Sequence, residues 1–514
     1  MLMHTPRIGV VVLLAACGGA PSGGTGEASS GGGESTGGAP PTSTTAPVTT
    51  GGEATSEPGG SSGGSTSGEA ACGDTAPPDA PIPWDRGQPD IAGCEVRGFR
   101  DYRAILHLHT HHSHDACDGD SQPGGVPDEA CLQHLRDALC VTRIDVAFTS
   151  DHPEFATSAT VEEMLVMRGD DEPILGDGGT PIAAWLKCPD GHRVLMLPGI
   201  ESSSMMPFGI EAHAEAAYGE SSPASFQAIK DVGAVAWVAH TEGRDVAELA
   251  TLGLDGIELY QLHANLDPEI REEDLGLDPD GFLADVSPFF FGGLAHPPEP
   301  DLATLAFLVP NEPSIVALET LGLTQRISVS AGTDAHENVL PNDAPDGERI
   351  DSYRRMIRWF NNRIRLDGPL TPQAAKAALR AGHNHIVIES FGLPIGFDFH
   401  AVAGDTFTEM GAEVTASGDL KIVATLPRLD PRSPQGGTPP GIEGRLIRAT
   451  MLGRETLETW TEGSVEVAAD MPGVYRVEVW ITPRHLEPYL GDVAADHTDK
   501  PMPWIYSAGL FVRG

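Results

Sequence analysis

Short apolar runs alternate with helical stretches between residues 99 and 397, and this alternation restricts the possible folds more than any other feature. Helical periodicity lies between the runs, as in Asp128–Val141 and Ser225–Val232. Buried strands that alternate with helices are typical of a parallel α/β domain. The runs that carry this prediction are Ala104–His109, Val146–Thr149, Val194–Gly199, Ala234–Ala239, Gly256–Tyr260 and Ile327–Ala331.

Two later helices are predicted before the α/β pattern ends. Thr371 is a suitable N-cap, Pro372 suits the first helical position, and Gly382 suits the end of the helix. Asp351–Leu366 has an amphipathic helical period, and we interpret the arginines of its Tyr353–Arg358 stretch as a solvated face.

A change of pattern occurs near residue 398, where the helical period disappears. In Val474–Ile481 the side chains of Tyr475, Val477 and Val479 alternate with polar ones, which is typical of a half-buried antiparallel strand. Other strands are expected at Leu420–Leu426, Arg445–Met451, Ser464–Ala468 and Leu510–Arg513. Residues 398–514 are therefore predicted to form a β-sandwich-like domain.

The first 80 residues indicate export rather than a folded domain. Ile8–Ala16 is apolar but far shorter than the roughly 20 residues of a membrane span. It leads into a sequence that resembles the bacterial lipobox, which implies a signal peptide at 1–17 and a lipid on Cys17; an ordinary secretory signal is the alternative. Because Gly18 is not aspartate, the outer membrane of the cell envelope is the expected location. Residues 18–80, rich in Gly, Ser and Thr, are predicted to be a disordered tether.

Charge and cysteine content limit the partners and the compartment. The chain has 74 acidic and 32 basic residues and a net charge of −42, which repels nucleic acid and anionic lipid. Nucleic acid is therefore not an expected partner, and contact with a membrane is expected only through the lipid anchor. Six cysteines besides Cys17 suggest disulfides in an oxidising compartment, although the sequence does not select their pairing: Cys72, Cys94, Cys117, Cys131, Cys140 and Cys188.

Metal-ligand residue types follow nearly every predicted strand of the α/β domain. Since the carboxyl ends of parallel strands meet at one edge, these side chains are expected to form one site. Residues two apart in a strand face the same way, so His107 and His109 are expected to converge. The ligand-type residues are His107, His109, Asp151, His152, Glu201, His240, Asp334 and His336.

The same residues resemble the motifs of the polymerase and histidinol phosphatase (PHP) family. His107–Ser113 resembles the HxHTxxS motif, Ser150–His152 the TDH motif, and Pro198–Glu201 the PGIE motif. Ala239-His240 is similar to the AHP motif with Thr241 in place of proline, and Gly332–His336 resembles GSDAH. The resemblance covers about residues 99–397 and implies a distorted, TIM-like (β/α)7 barrel with two or three zinc, manganese or iron ions.

The resemblance also implies the ligand set. His213 is the candidate for a family histidine between the PGIE and AHP motifs, and either His114 or, by preference, Asp115 supplies the ligand that follows HxH. Glu201, as a bridging carboxylate, is expected to act in catalysis with His240 and Asp334. The remaining expected ligands are His107, His109, His152 and His336.

These expectations together predict a metal-dependent hydrolase, most directly a phosphoesterase that attacks a small-molecule phosphoester with a metal-bridging hydroxide. Arg244 and His263 are weaker candidates for substrate contacts. Two alternatives stay open: a carbamate or amide hydrolase, because the chain also resembles the carbaryl-hydrolase branch, and a non-catalytic surface lipoprotein that binds metal or ligand. The sequence leaves the oligomeric state open.

Overall fold

The structure is a computed structural model that describes residues 80–91 and 95–514. It has mixed α/β character, with a large β-sheet and a β-rich C-terminal region. The predicted signal peptide, the lipid attachment at Cys17, and Cys72 and Cys94 lie outside the described residues, as does the predicted tether except for Ala80. The domain boundary at residues 397/398 stays a prediction.

Six parallel strands occur where the sequence predicts buried strands, in the spatial order β6-β3-β2-β9-β8-β7. β5 pairs antiparallel with β6, and β10 pairs antiparallel with the first half of β2. The strands of this part of the chain are β1 (Glu95–Val96), β2 (Phe99–Leu108), β3 (Val146–Phe148), β4 (Glu172–Leu175), β5 (Pro181–Lys187), β6 (Arg193–Leu197), β7 (Trp237–Val238), β8 (Gly256–Gln261), β9 (Ser328–Ala335), β10 (Asn361–Leu366) and β11 (Asn384–Val387).

A short segment joins the two outer members of this parallel set. Phe208 exchanges backbone hydrogen bonds with Val235, and the amide of Ile200 donates to Pro207 O. Residues 206–208 are therefore hydrogen-bonded to the backbone next to both β6 and β7. Side chains alternate between two buried cores along β2, β3, β6 and β7, as Leu106 and Ile105 do on β2. Burial of both strand faces explains why these strands appear in the sequence as continuous apolar runs.

Helices connect the parallel strands. Asp128 caps α1 by accepting from the amides of Ala130 and Cys131. Thr371 caps α6, and Gly382 ends it with φ of 72°, which matches the prediction. The helices of seven or more residues are α1 (Glu129–Val141), α2 (Pro223–Asp231), α3 (Leu283–Phe290), α4 (Glu312–Gly322), α5 (Tyr353–Trp359) and α6 (Pro372–Ala381). Shorter turns of α-helix are Ala116–Gly119, Pro153–Ala156, Glu215–Tyr218, Val246–Leu249, Leu262–Leu266, Pro268–Glu273, Thr304–Phe307, Glu487–Leu490 and Ala494–His497.

The prediction of an amphipathic helix at Asp351–Leu366 was wrong about both the length of the helix and the exposure of its arginines. Only α5 is helical, and Phe360 turns the chain into β10. The arginines of α5 are buried rather than solvated: Arg354 and Arg355 both donate to Asp301, which is 1% exposed. A buried charge is tolerated when it is paired, and these partners come from a distant part of the chain.

The C-terminal strands form a four-stranded sheet and also extend the large sheet. The first has the order β14-β13-β16-β20, while β22 pairs with β11 and so continues the large sheet. The strands are β12 (Pro394–Ile395), β13 (Asp398–Ala403), β14 (Thr406–Glu409), β15 (Glu413–Thr415), β16 (Leu420–Thr425), β17 (Arg428–Leu429), β18 (Gly441–Thr450), β19 (Gly453–Trp460), β20 (Ser464–Ala468), β21 (Gly473–Thr482), β22 (Met502–Ser507) and β23 (Leu510–Arg513).

In the part of the chain that the structure describes, buried ion pairs and two disulfides hold separate segments together. Glu389 accepts from Arg363 Nη2 at 2.6 Å and from Arg103, and all three side chains are buried. Disulfides link Cys117 to Cys131 and Cys140 to Cys188. Among the described residues, no helix is both long and apolar enough to cross a membrane.

Candidate metal centre

Ligand-type side chains converge where the parallel strands end at their carboxyl termini. β2 carries His107 and leads to His109, and β9 carries Asp334 and leads to His336. Three overlapping groups place their ligand atoms within 4.8 Å of one another. The inner group is His107, His109, Glu201 and Asp334; the second group is His109, Asp115, His152 and His336; the outer group is His240, His263 and Asp334.

The inner group consists of two carboxylates facing two imidazoles. Glu201 Oε2 lies 2.9 Å from His107 Nε2 and 3.1 Å from His109 Nε2. Asp334 Oδ1 lies 3.0 and 3.1 Å from the same two nitrogens. Both histidines are fully buried. Four donor atoms of these types, brought this close together, suit a divalent cation such as zinc, manganese or iron.

The second group is centred on Asp115. Its Oδ2 lies 3.4 Å from His152 Nε2 and 3.4 Å from His336 Nε2. The ring of His336 also stacks on that of His109, with centroids 3.7 Å apart. The Nε2 atom of His336 is buried and has no hydrogen-bond partner among the described residues. A buried nitrogen left in this state is available to a cation.

The outer group shares Asp334 with the inner group, and its His240 also contacts Glu201. Glu201 Oε1 lies 3.1 Å from His240 Nε2, and Asp334 Oδ2 lies 3.9 Å from His263 Nδ1. Glu201 and Asp334 therefore each direct one oxygen to the inner group and the other toward the outer group. Carboxylates oriented in this way can bridge two cations.

The second nitrogen of each inner or second-group imidazole is held by the protein. His107 Nδ1 lies 2.8 Å from Glu258 Oε1, and His109 Nδ1 lies 3.0 Å from Ser113 Oγ. His152 and His336 place Nδ1 on backbone carbonyl oxygens, at 3.1 Å from Glu201 O and 2.8 Å from Asp334 O. Metal-binding histidines are oriented in this way, because a bond at one nitrogen leaves the other free to ligate.

Charge interactions within the cluster shift the pKa values of its imidazoles and carboxylates. Burial by itself lowers the pKa of His107, but the charges of Glu201 and Glu258 outweigh it and hold that pKa well above its ordinary value. Burial also disfavours the charged form of Glu201, yet His107 and the other imidazoles hold the carboxyl pKa well below its usual range. Burial by itself lowers the pKa of His152, but the hydrogen bond to Asp115 and the charges of Glu201, Asp115 and Asp334 together outweigh it and raise that pKa to about 9. Divalent cations compete with protons for these nitrogens.

Three of the candidate ligands have left-handed backbone conformation: φ is 73° at His107, 50° at His240 and 52° at Asp334. Such positions cost about 1–3 kcal/mol each in residues other than glycine and concentrate at functional sites. The register of β2 against β9 also shifts between Leu106 and Leu108. The imidazoles of His107 and His109 thus converge through a backbone irregularity rather than through the regular alternation expected from the sequence.

Gly332 allows the closest packing beneath the inner group. A Cβ atom at this position would lie 2.1 Å from Glu258 Oε1 and 2.5 Å from His107 Cβ. Neither neighbour has free space, because both residues are fully buried. Steric crowding therefore explains why residue 332 is glycine.

Of the nine expected ligands, eight lie together and His213 lies apart. His213 belongs to none of the three groups, and its Nε2 lies 2.8 Å from Ala159 O. His114, the alternative to Asp115, is half exposed and faces Glu154 at 3.8 Å. The two residues considered for substrate contacts differ: Arg244 donates to Ser203 O at 2.6 Å, whereas His263 lies within the outer group.

Several supporting residues were missed in the sequence. Glu258 is fully buried in the middle of β8, where a carboxylate among apolar residues was the available signal. Gln261 Nε2 lies 2.9 Å from His240 Nδ1 and donates to Glu242 at 2.6 Å. Tyr353, which lies on α5, donates to His109 O at 2.9 Å, and no local sequence pattern indicates this contact.

Comparisons with known proteins add little to this geometry. No protein-family model and no curated protein sequence matches the chain. One similar solved structure is PsfC from Pseudomonas syringae PB-5123, with 14% identity and a TM-score of 0.31 over 56% of this chain and 93% of that one. Another is a two-domain protein from Bacteroides vulgatus ATCC 8482 containing a predicted PHP-like metal-dependent phosphoesterase, with 11% identity and a TM-score of 0.30 over 82% and 99% of the two chains. TM-scores this low establish neither fold nor function for this chain.

Proposed function

We propose that this protein is a metal-dependent hydrolase that cleaves phosphoesters of small molecules at a centre of two or three divalent ions. The observation that supports this most strongly is the contact of His107 Nε2 and His109 Nε2 with the same oxygens of Glu201 and Asp334, at 2.9–3.1 Å. The opposite nitrogens of both imidazoles already contact Glu258 or Ser113. Burying so many polar groups is costly in an apolar core, whereas the histidines of a metal centre are commonly held in this way at their second nitrogen.

Each residue has a defined role in this proposal. The inner group would hold one ion, and Asp115, His152 and His336 would hold a second. Glu201 and Asp334 would neutralise the inner ion, and each directs its other oxygen toward the histidines of the outer group. Divalent ions bound in this way lower the pKa of water toward neutrality and stabilise charge that builds on a phosphoryl oxygen.

Arg244 favours a phosphoester over a carbamate. Its guanidinium is held by Ser203 O, two residues beyond Glu201. Burial lowers the pKa of Arg244, and the charges of Glu248, Glu201 and Glu242 oppose that shift, so the cation is within electrostatic range of the centre. Arginine binds the oxygens of phosphate in a bidentate manner, and a carbamate offers no comparable anion.

We propose that the six parallel strands and residues 206–208 form a distorted (β/α)7 barrel, and that the C-terminal strands form a sandwich-like domain. The Cys117–Cys131 and Cys140–Cys188 disulfides support an oxidising compartment outside the cytoplasm. A lipid on Cys17 in the outer membrane is the proposed anchor.

The test uses the purified full-length chain. Bound metal is counted by plasma mass spectrometry, and hydrolysis is measured with p-nitrophenyl phosphate, bis(p-nitrophenyl) phosphate and a p-nitrophenyl carbamate. We expect at least two ions per chain and turnover of a phosphate ester that is lost in Asp334→Asn. Turnover that persists in this variant would contradict the ligand assignment, and turnover of the carbamate alone would contradict the substrate class.

A further inference from the structure

The structure offers a metal ligand that the sequence motifs do not indicate. We propose that His263, together with His240 and Asp334, forms an outer metal position, and that the ion there exchanges more readily than the others. His263 lies two residues beyond the end of β8, in the helical turn Leu262–Leu266. Its ring lies 5.4 Å from that of His240, centroid to centroid.

The two nitrogens of His263 have the environments of a ligand. Nδ1 is buried, has no hydrogen-bond partner among residues 80–91 and 95–514, and lies 3.9 Å from Asp334 Oδ2. Nε2 lies 3.3 Å from Asp267 Oδ2. A carboxylate that holds one imidazole nitrogen leaves the other as a free donor to metal.

Asp267 is itself fixed in position. Its Oδ1 accepts from the amides of Glu269 at 2.8 Å and Ile270 at 3.1 Å, so it caps the helical turn Pro268–Glu273. The ring of His263 is therefore oriented by an element whose position is determined by backbone hydrogen bonds. A histidine without a metal-binding role would not need its buried nitrogen to face the carboxylate of Asp334.

His213, the sequence candidate for a ligand beside His240, has a different environment. Its Nε2 contacts Ala159 O at 2.8 Å, and its Nδ1 lies 3.4 Å from Tyr218 Oη. Both nitrogens thus have protein partners, and the residue is outside all three groups. We infer that His263 supplies the ligand expected from His213.

The outer position is expected to bind its ion more weakly for two reasons. It has three protein ligands, whereas the inner group has four. The side chains of His240 and His263 are 30% and 24% exposed, whereas those of His107 and His109 are fully buried. Fewer ligands and contact with water favour exchange. Two imidazoles and one carboxylate also leave coordination positions open, as catalytic zinc sites do.

This inference rests on the proposed function only in requiring a centre that binds metal. The test compares the full-length chain with His263→Gln, His263→Ala and the matched control His213→Gln. The control removes a partly buried histidine that also has a hydrogen bond to the protein. Each protein is dialysed against graded concentrations of free Zn²⁺, bound zinc is counted by plasma mass spectrometry, and folding is checked by thermal denaturation.

We expect three zinc ions in the wild type, with one lost at a higher free concentration than the other two. Both His263 variants should lose that ion or bind it at least about tenfold more weakly, while His213→Gln should retain it. A folded His263 variant that keeps the weak ion, loss of that ion in His213→Gln, or a wild type that saturates at two ions would each overturn the outer position. A wild type that binds no zinc would instead overturn the proposed function.

Discussion

Glu258→Gln tests whether the buried carboxylate beneath the centre orients its ligands. In the wild type, Oε1 lies 2.8 Å from His107 Nδ1 and Oε2 accepts from the backbone amide of His240 at 3.1 Å. Glu258 is fully buried, so no water can replace either contact. A carboxylate satisfies both N–H groups, whereas a carboxamide of the same shape has only one acceptor oxygen.

The magnitude follows from this mismatch. If the amide oxygen faces His107, a buried N–H of His240 faces the NH₂ group; if the NH₂ group faces His107, the imidazole must carry its proton on Nε2 and cannot ligate. An unsatisfied buried polar group costs about 1–3 kcal/mol, and loss of an orienting partner weakens metal binding about 10- to 100-fold. We therefore expect both weaker zinc binding and a lower free energy of unfolding.

The assay is competition for Zn²⁺ against a chromogenic chelator, combined with urea denaturation. Glu319→Gln is the matched control, because Glu319 is a buried carboxylate that accepts from Arg476 and Arg454 at 2.8 and 2.9 Å, away from the centre. The control should lose stability and keep its zinc affinity. A folded Glu258→Gln protein with zinc affinity within about twofold of the wild type would refute the orienting role.

Three further results are expected. Gly332→Ala places a methyl group 2.5 Å from His107 Cβ, so zinc content at a limiting metal concentration should fall; unchanged content would mean that the strand shifts freely. Two buried arginines outweigh burial and lower the pKa of Glu389 to about 2 from 4.5, so its stabilisation of about 3 kcal/mol is complete above pH 4.5 and is lost as the pH falls toward 2. Urea denaturation should show this loss, and Glu389→Gln should lack that part of the acid dependence. Replacing Cys117 and Cys131 by serine opens a loop beside the second group, which should lower the free energy of unfolding by about 3 kcal/mol and weaken the binding of one zinc ion. Zinc affinity equal to that of the wild type would show that the disulfide does not support the second group.

The sequence predicted the parallel strands, and most of the residues that converge at their carboxyl ends, for one physical reason. Strands buried on both faces need continuous apolar residues, and their carboxyl ends must meet at one edge. His240 and Asp334 are 94 residues apart, yet both follow such runs, so their proximity could be predicted without any contact information. Regular alternation did not bring His107 and His109 together, because the backbone departs from it at His107.

What the sequence could not predict depends on partners that are distant in the chain. The arginines of α5 have the spacing of an exposed face, and only the location of Asp301 determines that they are buried. His213 and His263 are equally histidines near the centre in sequence, but loop paths decide which nitrogen remains free. Local periodicity contains neither kind of information.

The strained backbone at three candidate ligands explains why many buried contacts surround the candidate centre. His107, His240 and Asp334 occupy left-handed conformations that isolated residues avoid, so contacts around them must offset a cost of about 1–3 kcal/mol each. Glu258 contributes directly, since its two oxygens contact His107 and the amide of His240. Those same contacts orient imidazoles toward the carboxylates. The backbone strain and the side-chain geometry are therefore maintained by one set of buried polar contacts. Mutation of a residue that makes these contacts, such as Glu258, tests the support of the centre while leaving the candidate ligands in place.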